Sequence, residues 1–116
     1  MHELKVKRVY QESDAADGIR ILVDRMWPRG ISKDRMDAWI KSVAPSFELR
    51  KHFHDGTLSF EQFKEKMVKE LEASDTAQAF KLKVREVLAK SDVTLLFAAK
   101  DEEHNNAVVL KGWILG

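Results

Sequence analysis

The stretch Val93-Thr94-Leu95-Leu96-Phe97-Ala98-Ala99 decides the fold, together with the polar run Lys100 to His104 and the segment Asn105 to Leu115 behind it. Val93 to Ala99 is almost continuously apolar and too short for a buried helix. It reads as a strand covered on both faces, as the strands of parallel sheets are. From Asn105 onward Ala107, Leu110, Trp113 and Ile114 recur at helical spacing. Strand, polar loop and helix in that order form half of a βαβ unit.

Two more strands are expected near the other end. In Leu4 to Tyr10, Leu4 and Val6 alternate with lysines. In Ile19 to Val23, Ile19, Ile21 and Val23 fall on one face, Arg20 and Leu22 on the other. The acidic break Glu12 to Gly18 between them is a turn signal, long for a tight hairpin.

The middle of the chain reads as helical. Ser32 is placed to cap a helix to about Val43, with Met36, Trp39 and Ile40 as its apolar stripe. Pro45 ends it, and Ser46 caps a short helix over Phe47 to His54. Ser59 and Gln62 form a capping-box pair ahead of Phe60, Phe63, Met67 and Leu71. A further helix spans about Asp75 to Lys90, burying Phe80, Val84, Val87 and Leu88. The expected architecture is one α/β domain over residues 1–116: a small, mostly parallel or mixed sheet of about three strands packed with about five helices.

Composition narrows the function classes. Twenty Lys and Arg stand against nineteen Asp and Glu, a net charge of +1, which excludes a strongly basic nucleic-acid wrapper but not a local basic patch. There is no cysteine, so disulfides, thiolate catalysis and cysteine-ligated metals are ruled out. Met1 to Lys5 contains no apolar leader, and no apolar run approaches the length of a membrane span. A cytoplasmic protein with no membrane association is the expectation; oligomeric state is left open.

If the second and last strands are parallel neighbours, their C-terminal ends share one sheet edge, where ligands of open α/β sheets bind. Two polar loops then converge: Asp24-Arg25-Met26-Trp27-Pro28-Arg29-Gly30, shaped by Pro28 and by Gly30, which tolerates positive φ, and Lys100 to Asn106.

These same residues carry a resemblance. The Asp24 to Gly30 run, Ala44-Pro45-Ser46 with Leu49-Arg50, and Leu95 to Ala107 resemble the YeaO-like family across nearly the whole chain. That family is a bacterial and archaeal branch of a large domain family of unknown function. The resemblance implies a compact α/β domain without a settled activity. Wider relatives often carry a cysteine and a Cys-His-Arg run after the last strand; here Lys100 to Asn106 stands there, and a thiol-based role does not carry over. Some members are labelled transcriptional regulators, but no DNA-reading helix signature is visible in this chain.

Each candidate residue has two readings. Arg25 and Arg29 flanking Trp27 fit an anion clamp beside a stacking ring, or else pair with acids such as Asp24 around a core tryptophan. Lys100, Asn105 and Asn106 fit anion binding at a helix start, or simple capping. Asp101 and His104 fit a general acid–base pair. His52, His54 and Asp55 make a weak metal cluster, because i,i+2 histidines diverge on a helix; no metal and no cofactor is expected. Ser46 reads as a cap, and Arg50 either pairs with an acid or joins the site.

The leading functional expectation is a pocket for a small anionic or phosphorylated ligand or a nucleotide, with hydrolysis or group transfer if Asp101 and His104 move protons. The alternative is a non-catalytic binding module for nucleic acid or protein, although nothing in the sequence supports nucleic acid specifically. A third reading is a buried polar network that only fixes the fold.

Overall fold

In the computed structural model, which describes residues 2–116, four strands form one sheet in the order β1-β4-β2-β3, with every neighbouring pair parallel. The strands are β1 (Leu4–Arg8), β2 (Ile19–Leu22), β3 (Ala38–Trp39) and β4 (Val93–Phe97). The helices are α1 (Phe47–His54), α2 (Phe60–Glu72), α3 (Asp75–Val87) and α4 (Asn106–Leu115), with three short 3-10 turns. The α/β class agrees with expectation, and β2 and β4 pair in parallel, which meets the condition for the two polar loops to converge. The counts do not: four strands replace about three, and four α-helices replace about five.

All five residues of β4 are buried, because β4 lies between β1 and β2 and is covered on both faces. On one face Leu95 and Phe97 meet the helices, with Ile21, Phe63, Met67 and Leu110 in the same core. On the other, Leu96, Leu22 and Val9 form a small cluster closed by Ile31, Met36 and Trp39. Irregular chain covers that second face where a doubly wound protein would place helices. β1 and β2 do not pair with each other, so the acidic segment between them is no hairpin turn. It holds the turn Ala15–Asp17, capped by Asp14.

The expected helix from Ser32 to Val43 is the main correction. Only two isolated 3-10 turns form there, Lys33–Arg35 and Lys41–Val43, and Ser32 makes no side-chain capping bond. Ala38 and Trp39 instead pair with Ile21 and Leu22, and the backbone N–H of Ile40 donates to the Leu22 carbonyl at 2.9 Å. Trp39 packs on one face of the sheet while Ala38 and Ile40 pack on the other. Strand alternation in a segment this short imitates a helical stripe when only Met36, Trp39 and Ile40 are read.

The other helices form where their caps sit. The Ser46, Ser59, Ser74 and Asn105 side chains each accept an N–H of the following first turn. Phe63, Met67 and Leu71 of α2 are buried at the predicted spacing. Gly18, just before β2, has φ 67°, and a Cβ there would stand 2.1 Å from the Asp92 carbonyl oxygen. Glycine lets β2 start hard against the turn into β4. No described helix is long and apolar enough to cross a membrane.

Candidate functional site

The C-terminal ends of β2 and β4 open side by side, as parallel pairing requires. Asp24 lies two residues past the end of β2. Its Oδ2 accepts the Ala98 N–H at 2.9 Å, and its Oδ1 accepts the Asn106 amide at 3.0 Å. Asn106 also donates to the Val23 carbonyl at 3.2 Å. One carboxylate thus joins the end of β2, the chain leaving β4 and the first turn of α4. Burial is the largest influence on this carboxyl and raises its pKa; the Asn106 and Ala98 donors and the charge of Arg50 offset it only in part.

Beside this junction lies a cavity of about 600 Å³. Arg25, Trp27 and Arg29 line it from the loop after β2; Lys100, Asp101, His104 and Asn105 line it from the loop after β4, and Asn106 from the first turn of α4. The fold therefore brings all eight candidate residues to one place. They are not equivalent in their partners.

Arg25 is turned to the protein: its guanidinium donates to the Ala44 and Pro45 carbonyls at 3.2–3.3 Å. Trp27 is 36% exposed, so it is not a core residue. Its Nε1 donates to the Ile31 carbonyl at 2.8 Å, and its ring meets Trp39 edge-on at 5.1 Å. Asn105 is buried as the α4 cap, accepting the Val108 N–H and donating to the Asp101 carbonyl, both at 2.9 Å. The Arg29 and Lys100 side chains have no hydrogen-bond or ion-pair partner among the described residues.

Asp101 and His104 meet, with Nδ1 to Oδ2 at 3.0 Å. The other carboxylate oxygen accepts the backbone N–H groups of Glu103 and His104. Those donors, led by Glu103, hold the Asp101 pKa below its usual value, with burial opposing them. The imidazole also packs edge-on against Phe60 at 4.9 Å. The pair is exposed and belongs to the local turn.

Among the further lining residues, Asp24, Tyr10 and Phe53 have no site role in the sequence reading, and His54 has one only in the weak metal grouping. Asp24 is legible only as part of the loop, and Tyr10 only as the end of the first expected strand, which in the structure stops at Arg8. Phe53 and His54 join Arg50 on the cavity side of α1. Their i, i+3, i+4 spacing from Arg50 is the signal that could have found them. Phe53 stacks on buried Phe63 with centroids 4.4 Å apart and planes 19° apart. The weak metal grouping does not assemble, since no three His, Asp or Glu side chains of the described residues come together to hold an ion. Ser46 is tied down by capping α1 and by its hydroxyl donating to Glu70 at 2.6 Å.

Residues 3–116 match the family model described as the inactive DUF488-N3 subclade. The chain is 41% identical over 113 residues to the uncharacterized protein YeaO of Escherichia coli (strain K12), covering 96% of each chain. It is 39% identical over 109 residues to uncharacterized proteins of Mycobacterium tuberculosis (Rv3073c, strain H37Rv) and Mycobacterium bovis (Mb3100c), covering 92% of this chain and 89% of theirs. No solved structure matches it. The chain belongs to the YeaO-like family, in the inactive DUF488-N3 subclade.

Proposed function

We propose that this cavity binds a small phosphorylated or otherwise anionic ligand, and that binding rather than turnover is its role. One observation carries the reading. Arg29, Arg50 and Lys100 line the same concave space, and none of their side chains has a hydrogen-bond or ion-pair partner among the described residues, although the Arg50 charge acts on Asp24 from a distance. The two acids lining the cavity are already engaged, Asp24 by Ala98 and Asn106, Asp101 by its own turn. The surplus of positive charge in a partly enclosed site attracts an anion, and guanidinium forks match phosphate oxygens.

Turnover has less support. The chain offers no thiol, and the Ser46 hydroxyl is consumed by Glu70. The subclade's description as inactive agrees with binding. The Asp101–His104 contact favours a second reading, in which the carboxylate orients an imidazole for acid–base chemistry on the bound anion. Phosphatase and phosphotransfer assays on the native chain and on His104→Ala decide between the two; activity lost in His104→Ala supports the second.

The binding reading is tested by melting curves in orthophosphate against chloride at matched ionic strength. A ligand at 100 times its dissociation constant adds about 2.7 kcal/mol, a rise of several degrees. The expected rise disappears in Arg29→Gln. Equal melting temperatures in both salts contradict the proposal.

A further inference from the structure

We infer that the anion belongs to a ligand that also carries a flat aromatic ring, so that the cavity takes a phosphomonoester bearing a heteroaromatic ring, of nucleoside monophosphate size. The inference rests on the anion-binding reading and adds the ligand's other half. A space of about 600 Å³ far exceeds a bare phosphate and falls within the range of about 300–1,000 Å³ typical of organic-ligand sites. Its apolar walls come from two separate parts of the fold. Tyr10 and Trp27 line it from the sheet-edge loops, and Phe53 and Phe63 from the helical layer.

Both walls are held in advance. Trp27 is fixed by its bond to Ile31 and by Trp39. The Tyr10 hydroxyl donates to the Arg29 carbonyl at 3.0 Å, and the Arg8 guanidinium sits 5.1 Å from the ring centre. Phe53 already stacks on Phe63, so a planar group laid on Phe53 would extend an existing stack. Aromatic rings fixed in this way accept a heteroaromatic ring with little entropy loss.

Arg50 is one turn from Phe53 and His54 on α1, which sets a cation beside the aromatic wall. Arg29 and Lys100 supply the charge from the two sheet-edge loops. Three unpartnered cations suit one phosphate dianion. The further phosphates of a triphosphate would meet the carboxylates of Asp24 and Asp101 in the same space.

The test is calorimetry of the native chain with five probes: orthophosphate, ribose 5-phosphate, adenosine, adenosine monophosphate and adenosine triphosphate. The monophosphate should bind about tenfold more tightly than ribose 5-phosphate or orthophosphate, and more tightly than the triphosphate. Trp27→Ala should remove about tenfold from the monophosphate affinity and leave orthophosphate unchanged; Trp27→Leu, which keeps apolar bulk, serves if the alanine variant does not fold. Equal binding of ribose 5-phosphate and the monophosphate overturns the aromatic half and leaves anion binding standing. A triphosphate that binds as tightly as the monophosphate overturns the single-phosphate assignment. Adenosine binding as tightly as the monophosphate, or no binding by any phosphate, overturns both readings.

Discussion

Asn106 and Asp24 are 82 residues apart in sequence, yet the Asn106 amide donates to the Asp24 carboxylate at 3.0 Å. With the Ala98 N–H on the other oxygen, this contact fastens both strand ends to the helix that follows them. Asp24→Ala leaves two donors without their acceptor. It should cost about 1–3 kcal/mol, read as a lower urea midpoint with unchanged slope. A variant of native stability would mean that water replaces the carboxylate at no cost.

The raised pKa of Asp24 gives a pH dependence with a definite sign. The unfolded chain ionises this group at its ordinary value, 3.8, and the folded chain only at higher pH. Between the two values the folded state keeps a proton that the unfolded state has lost, so stability from this group falls as pH rises through the window. The native chain's stability relative to Asp24→Asn should decline from acid toward neutral pH and then level. A relative stability that climbs with pH would contradict the burial argument.

Asp17 behaves in the opposite sense. It is 5% exposed, and burial, the largest influence, would raise its pKa. The Asp14 N–H, Lys7 and Arg20 outweigh burial and hold it below the ordinary value. Its stabilising effect is present above about the ordinary carboxylate value and is lost as pH falls through the lower folded value. Asp17→Ala strands Arg20, which is 7% exposed and paired directly with Asp17. The expected loss is about 3–5 kcal/mol by chemical denaturation; a loss within experimental error would show the pair to be dispensable.

Gly18→Ala meets two obstacles, a positive φ of 67° and a Cβ position 2.1 Å from the Asp92 carbonyl oxygen. Backbone strain alone is of order 1–3 kcal/mol, and the clash adds to it. Gly30→Ala is the control: φ is 78° but nothing lies within 4 Å of the added carbon. A melting temperature lowered much more by the first change than by the second is the expected result. Equal losses would show that the close approach to Asp92 relaxes freely.

Much of this was legible in the sequence because the elements are locally marked. Ser46 and the Ser59–Gln62 pair announce helix starts, and the unbroken apolar run of β4 announces a strand buried on both faces. β3 was not legible, because two residues cannot show a period and its pairing partners lie 17 residues earlier. The convergence of the two polar loops followed from parallel pairing. The contribution of α1 did not, since Phe53 and His54 reach the cavity beside Arg50 through the packing of α1 against α2. Asp24 was visible as a loop acid, but its role depends on Ala98 and Asn106, contacts no local pattern encodes.

The central claim is that an anion sits among Arg29, Arg50 and Lys100. Amide chemical-shift mapping during a titration with adenosine monophosphate tests it most directly. Predicted shifts cluster in residues 24–30, 50–54 and 98–106, three of the segments that line the cavity, and vanish in a variant combining Arg29→Gln with Lys100→Gln. Shifts confined to the basic strand around Lys5 and Lys7, or none at millimolar ligand, would contradict the claim.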